Sequence, residues 1–109
     1  MKKDVILTLV TVPDQETADR IASSFVEKRL AACVNILKGI TSVYRWQDEI
    51  CRDDEFLLLI KTTRNSFEQL ESHVKAIHPY DLPEIIAVEI ADGLETYLDW
   101  IAAETGKIK

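Results

Sequence analysis

The residues best suited to chemistry in this chain lie in one short segment that two prolines frame. The segment contains a histidine, a tyrosine and two acids: His78, Tyr80, Asp81 and Glu84. Because the histidine precedes a proline, its backbone is biased towards an extended form, and the segment should be a stiff loop. A histidine with carboxylates nearby can bind a borderline divalent cation such as Cu²⁺, which makes His78 a candidate metal ligand.

A second role is open for His78, in which hydrogen bonds from its ring hold the loop. A structural zinc site needs four Cys or His ligands at close spacing, whereas this chain has two of each, scattered: Cys33, Cys51, His73 and His78. The incomplete ligand set favours the structural role. We interpret His73 as a solvated surface residue and the two cysteines as packed or partly exposed thiols.

The sequence lacks the motifs of the common enzyme classes. It has three glycines and contains neither a phosphate-binding glycine loop nor a dinucleotide fingerprint. It also lacks the G-x-S-x-G elbow, and no spacing brings a cysteine and a histidine together as nucleophile and base. We therefore predict a protein that is not an enzyme and has no organic cofactor.

The charge balance argues against nucleic acid as a partner. Thirteen Lys and Arg residues face nineteen acids, for a net charge of −6, and a phosphate backbone needs a basic face. The longest strongly apolar run, residues 56–60, is far shorter than the roughly 20 residues of a membrane-spanning helix. The apolar stretch at the start is too short for a signal peptide, so we expect a cytoplasmic protein that does not bind a membrane.

Hydropathy patterns predict four strands and three helices. The strands are apolar or β-branched runs bounded by turn residues, and they cover residues 5–12, 31–46, 55–63 and 84–90. Asp14, Asn65 and Asp92 are placed to cap the amphipathic helices that follow them. This order predicts an α+β, ferredoxin-like split βαβ sandwich with an antiparallel sheet and an added C-terminal helix. Residues 1–109 are expected to form one domain.

The hairpin made by the second and third strands is too long for a chain of this size. An arm of about 13 residues spans roughly 40 Å, so the hairpin should project and expose Val43, Tyr44 and Trp46. We infer a homo-oligomer in which this arm contacts a neighbour. The alternative is a bulged hairpin that folds back at Gly39.

Several segments, taken together, resemble the CutA family of divalent-cation tolerance proteins. They lie in the same order and at similar spacing from about Val5 to Trp100, and they are 30–36 (LAACVNI), 42–46 (S-x-Y-x-W), 61–62 (KT), 78–85 (HPYDLPEI) and 97–100 (YL-x-W). The resemblance implies a ferredoxin-like subunit in a tight homotrimer, with an architecture similar to the PII signal proteins. It also implies a role in the response to divalent metal ions such as copper.

The resemblance further implies that the marked residues cluster in clefts between subunits. Carried over to this chain, these residues are Cys33, Asn35, Tyr44, Trp46, Lys61, His78, Tyr80, Glu84 and Trp100. We add Asp81 from the proline-framed loop, where the family more often has Glu. Asp48 also departs from the pattern, because the family usually has a glycine shortly after the hairpin tryptophan.

A copper site proposed for some members uses a cysteine on the first strand and a His-His pair before Pro-Tyr. The matching positions here are Val10, Ile77 and His78, so only His78 is present, and any metal binding is expected to be weak or transient. An alternative is a PII-like trimer that binds a small polar or anionic ligand through Lys61, Tyr80 and Glu84. In both hypotheses, Lys61 faces the acids of the cleft or is solvated. A third hypothesis is an unrecognised enzyme that uses the same cleft.

Overall fold

A four-stranded antiparallel sheet organises this protein, whose computed structural model describes residues 4–106. The strands are β1 (Val5–Val12), β2 (Cys33–Trp46), β3 (Glu49–Thr63) and β4 (Ile85–Glu89). The helices are α1 (Gln15–Glu27), α2 (Phe67–Ile77) and α3 (Glu95–Glu104). The sheet order is β2-β3-β1-β4, which confirms the predicted ferredoxin-like split βαβ topology.

Helix α1 begins where the sequence predicts it. The Asp14 carboxylate accepts a hydrogen bond of 2.8 Å from the backbone N–H of Thr17, and this bond lowers the pKa of Asp14. The apolar stripe of the helix is buried and consists of Ala18, Ile21, Ala22 and Phe25. Local capping and helical periodicity therefore suffice to explain this element.

The predicted caps of the other two helices are wrong. Asn65 lies inside a short 3₁₀ turn, Arg64–Ser66, that joins β3 directly to α2, and the buried Ser66 side chain accepts a hydrogen bond from Thr63 instead of capping the helix. Helix α3 begins after Leu94 and not after Asp92. There the backbone carbonyl of Leu94 accepts the N–H groups of the first turn.

Two strand boundaries also differ from the prediction. β2 begins at Cys33, and β3 begins at Glu49 and not at residue 55. The polar residues 52–54 do not look like a strand in isolation. Their backbone groups pair with β2, and this hydrogen bonding overrides their side-chain composition.

Helices α1 and α2 cover one face of the sheet. Side chains on that face alternate along the strands, and Val10, Leu58 and Ile60 are fully buried against Phe25 and Leu70 of the helices. On the opposite side, a second small cluster joins Leu98 and Ile101 of α3 to Val5 and Ala32. None of the helices among residues 4–106 combines the length and hydropathy that a bilayer crossing requires.

The rest of the opposite face, which we name the open face, lacks a helical cover in the described chain. Its side chains alternate with those of the core, and they are Leu7, Leu9, Asn35, Leu37, Leu57, Leu59, Ile86 and Val88. Leu37, Ile86 and Val88 are about half exposed. A contiguous apolar surface of this kind is typical of an interface.

The β2–β3 hairpin projects from the sheet, as the sequence predicts. β1 pairs with β3 only from Phe56 onward, so the outer arms, Ile40–Trp46 and Glu49–Glu55, pair only with each other. A bulge interrupts the pairing between Leu37 and Ile40, where Gly39 has a φ of 77°. The bulge does not fold the hairpin back, since the chain measures 46 Å along its long axis and 27 Å across it.

The hairpin turn places two non-glycine residues in the left-handed region. Gln47 has a φ of 50° and Asp48 a φ of 66°, which is the backbone of a type I′ turn. Asparagine and glycine are the usual residues of this turn, because other side chains meet steric strain at positive φ.

We expect Asp48→Gly to raise the free energy of unfolding by roughly 0.5–1 kcal/mol, because glycine adopts positive φ without strain. Urea unfolding at fixed protein concentration measures the change. Asp54→Gly is the matched control within β3, and it should lower stability, since glycine in a strand interior loses more conformational entropy. A loss of stability in both variants would contradict the assignment of strain to the turn.

His73 is not the solvated residue that the sequence suggests. Its ring is hydrogen-bonded to the Ser24 hydroxyl and contacts the edge of Phe25, with ring centroids 5.8 Å apart. Burial between α1 and α2, and secondarily the charge of Lys28, lower the pKa of His73 below the usual 6.5.

A lowered pKa means that, at pH values between the folded pKa of His73 and about 6.5, the unfolded chain binds more protons than the folded chain. The free energy of unfolding should therefore fall as the pH drops from above 6.5 towards the folded pKa of His73. The variant His73→Gln keeps a polar partner for Ser24 but cannot titrate, so its stability should depend less on pH in this window. Identical pH slopes for the two proteins would contradict the role of His73.

Candidate functional site

A cleft of about 750 Å³ lies between the projecting hairpin and the loop that follows α2. It contains five of the predicted cleft residues: Tyr44, Trp46, Tyr80, Asp81 and Glu84. Further lining residues come from the hairpin, the loop and the end of β1: Thr11, Ser42, Val43, Arg45, Asp53, Glu55, Pro79 and Leu82. The cleft therefore depends on the hairpin extending past the end of β1.

His78 holds the loop against the sheet. Its Nε2 lies 2.7 Å from the backbone oxygen of Thr11, and because a carbonyl can only accept, Nε2–H is the donor. Its Nδ1 accepts a hydrogen bond of 3.1 Å from the backbone N–H of Tyr80. The ring is 8% exposed, so both nitrogens are used within the protein.

These bonds correspond to the structural role that the sequence left open for His78. A metal ligand needs a free lone pair on a ring nitrogen, and in this arrangement His78 has none. Within residues 4–106, moreover, no three His, Cys, Asp or Glu side chains come together as a metal site. The geometry therefore argues against His78 as the predicted copper ligand.

Tyr80 joins the loop to the hairpin. Its hydroxyl donates a hydrogen bond of 2.8 Å to the carboxylate of Glu55, which is 6% exposed, and its ring lies 4.8 Å from that of His78. Burial and then the bond to Glu55 raise the pKa of Tyr80 well above its usual value. Tyr80 therefore remains a neutral donor.

Tyr44 forms a similar pair within the hairpin. Its hydroxyl donates to the carboxylate of Asp53, and this bond is the main reason that the pKa of Tyr44 rises to about 12. Both tyrosine rings of the cleft are thus held by carboxylates. A phenol that stays protonated presents a fixed dipole and an intact ring face to the cleft.

Acidic side chains dominate the electrostatics of the cleft. Four carboxylates line it, those of Asp53, Glu55, Asp81 and Glu84, and they face one cationic side chain, that of Arg45. Burial and then the nearby charge of Glu55 raise the pKa of Glu84, as expected where carboxylates are close together. This surface attracts cations and repels anions.

The other predicted residues lie in a second group, on the side of the sheet that α3 partly covers. Cys33 pairs with Lys61 across the β2–β3 ladder, and Asn35 follows it on the same face. The Lys61 ammonium is 3.5 Å from the Tyr97 hydroxyl and 5.8 Å from the centre of that ring. The Tyr97 ring lies 5.5 Å from that of the exposed Trp100.

Lys61 therefore faces Tyr97. One interpretation of the sequence had placed it against the acids of the cleft, and it does not lie there. Within one chain, Cys33, Asn35, Lys61 and Trp100 do not line the cleft. Sequence order could not separate the two groups, because successive residues of a strand point to opposite faces and the registers of β2 and β3 decide which residues meet.

Sequence reasoning missed Asp53, Glu55 and Tyr97. Glu55 had a detectable signal, since it is an acid at the start of the apolar run that continues through residue 60. A carboxylate in such a position needs a hydrogen-bond donor when it is buried. No comparable pattern in the sequence identifies Asp53, whose partner Tyr44 lies on the other arm of the hairpin.

We expect His78→Ala to lower the free energy of unfolding by roughly 1–3 kcal/mol, because it leaves the buried carbonyl of Thr11 without its donor. Denaturant unfolding measures this loss, and native mass spectrometry should show an unchanged number of subunits. Unchanged stability together with a loss of copper binding would contradict the structural role and support His78 as a metal ligand.

Comparison with known proteins places this geometry in one family. Residues 6–104 match the family described as CutA1 divalent ion tolerance protein. The divalent-cation tolerance protein CutA of Thermus thermophilus is 55% identical over 100 residues, which are 92% of this chain and 97% of the relative. A solved structure of the divalent cation tolerance protein from that organism superimposes with a TM-score of 0.92 at 54% identity, covering 94% of this chain and 99% of the other.

The chloroplastic CutA protein of Arabidopsis thaliana is a longer relative. It is 47% identical over 100 residues, which are 92% of this chain but 55% of the plant protein. This chain thus spans about half of the plant relative and nearly all of the bacterial one. The match over most of the sequence and the shared structure show that this chain belongs to the CutA1 divalent ion tolerance protein family.

Proposed function

We propose that this protein takes part in the tolerance of divalent cations and does so without catalysis. The observation that supports this proposal best is the cleft lined by four carboxylates in a chain of this family. Carboxylate oxygens suit divalent cations, and together they lower the electrostatic potential of the cleft. The name of the Thermus thermophilus relative, a divalent-cation tolerance protein, agrees with it.

The proposed contact with metal is weak and transient. The carboxylates do not form a closed ligand set within residues 4–106, and His78 is engaged by Thr11 and Tyr80. Ions such as Cu²⁺ would therefore accumulate in the cleft mainly by charge attraction. The same charge disfavours the anionic ligand of the PII-like alternative, and it also disfavours nucleic acid.

The proposed assembly is a homotrimer formed through the open face. That face presents Leu37, Ile86 and Val88 to solvent in the single chain, whereas a sheet normally buries its apolar face against another layer. Assembly would also bring the hairpin of one subunit close to another. The second group of predicted residues, which includes Lys61 and Trp100, would then complete a cleft between subunits.

The proposed compartment is a reducing one such as the cytoplasm. Cys33 and Cys51 are both free thiols, which agrees with a compartment that does not favour disulfides.

Replacing Val88 on the open face by lysine should convert the trimer into monomers, because a charge cannot be buried there without a partner. Val26→Lys is a matched control on the outer side of α1, since Val26 and Val88 are exposed to nearly the same extent, 46% and 48%. Native mass spectrometry should show three 12.4 kDa chains in the parent and in the control. A monomeric parent would contradict the assembly.

Growth in graded concentrations of copper tests the proposed function. A bacterial strain without its own protein of this family should regain tolerance with this chain and lose much of the gain with the double variant Asp81→Asn, Glu84→Gln. Asp54→Asn removes a carboxylate that does not line the cleft, and it should restore tolerance as well as the parent. Equal tolerance with the double variant would contradict a role for the acidic cleft.

A further inference from the structure

Three aromatic rings line the acidic cleft. Tyr44 and Trp46 come from β2, and Tyr80 comes from the loop after α2. Tyr44 and Trp46 are about 40% exposed although they are large hydrophobic residues. Metal tolerance by charge attraction does not account for three rings at one site, because a hydrated metal ion gains little from contact with them.

Hydrogen bonds hold two of the rings in place. The hydroxyl of Tyr44 is bound to Asp53 and that of Tyr80 to Glu55, and Glu55 is almost fully buried. The bond from Tyr80 occupies one of about four acceptor positions on the Glu55 carboxylate. Fixed ring faces beside carboxylates form a pre-organised surface, which reduces the entropy lost when a ligand binds.

The size and remaining lining of the cleft fit an organic molecule. Its volume of about 750 Å³ lies within the usual range of roughly 300–1,000 Å³ for small-molecule sites, far above the space that a single ion needs. Val43, Pro79 and Leu82 add apolar surface to the lining. A ligand matched to this site carries both a positive charge and an apolar stem.

We propose that the cleft binds an organic ammonium ion. The ammonium group lies between the carboxylates and the faces of the aromatic rings, and the stem contacts the apolar lining. Carboxylates and ring faces both attract a cation, and the attraction of a ring grows when the cation is desolvated. The inference goes beyond divalent-cation tolerance and does not depend on it, because a metal ion can be held by the carboxylates without the rings.

Isothermal titration calorimetry with three compounds of equal chain length tests the charge preference. The probes are butylammonium, the neutral butanol and the anionic butyrate. Butylammonium should bind saturably, while butanol and butyrate should each bind at least about tenfold more weakly, since they lack the charge that the carboxylates and rings attract. Equal binding of butylammonium and butanol, or no saturable binding of butylammonium to the folded protein, would overturn the proposal.

Variants separate the contribution of the rings from that of bulk negative charge. Trp46→Leu should weaken butylammonium binding about tenfold, and Trp46→Phe should recover part of the loss because it restores a ring face. Asp81→Asn, at an exposed site of the cleft, should also weaken binding, whereas Asp54→Asn outside the cleft should not. Equal losses with Asp81→Asn and Asp54→Asn, or full affinity in Trp46→Leu, would reduce the effect to unspecific charge attraction and overturn the proposal.

Copper-tolerance growth measures the divalent-cation proposal, and butylammonium titration measures the ammonium site. The two experiments fail independently, since Trp46→Leu removes a ring and leaves all four carboxylates of the cleft in place.

Discussion

The antiparallel pairing of β3 with two strands of unequal length is the constraint on which the rest of this structure depends. β3 pairs with β1 along residues 56–63 and with β2 along nearly its whole length. Because β1 is only 8 residues long and β3 is 15, the outer half of the hairpin must leave the sheet. That projection creates one wall of the cleft. Because β1 ends at Val12, the loop after α2 has room to form the other wall.

Two side chains from one loop secure the second wall. His78 ties the loop to the backbone of β1 at Thr11, and Tyr80 ties it to Glu55 on β3. The loop is thus anchored at the point where β3 leaves the sheet. A buried carboxylate and a buried imidazole are both costly without partners, so the loop and the hairpin stabilise each other's polar groups.

Neutral phenols and carboxylates lie side by side in the cleft. Tyr44 and Tyr80 each donate to an acid. The bond to Asp53 is the main reason that the pKa of Tyr44 rises, whereas burial and then the bond to Glu55 raise the pKa of Tyr80. The rings therefore stay neutral. The same arrangement suits a weakly held divalent cation, through the carboxylates alone, and an organic ammonium ion, through carboxylates and ring faces together.

The sequence by itself determined the elements whose cause is local. Alternation and helical periodicity place the strands and helices, and the Asp14 cap depends on a residue three positions away. The length of the hairpin and the stiffness of the proline-framed loop are also local properties. For this reason the fold class could be predicted before any contact was known, whereas the family was indicated by the resemblance of segments such as residues 78–85.

Only the tertiary structure decided which of these residues meet. The strand character of residues 52–54 and the contacts of His73 with Ser24 and Phe25 result from other parts of the chain, which no local pattern shows. Strand register divided the predicted site into the cleft and the group around Lys61. His78 had two chemically possible roles in the sequence. In the fold, the carbonyl of Thr11, 67 positions away, engages Nε2, and the backbone N–H of Tyr80 engages Nδ1, so neither nitrogen is left for a metal.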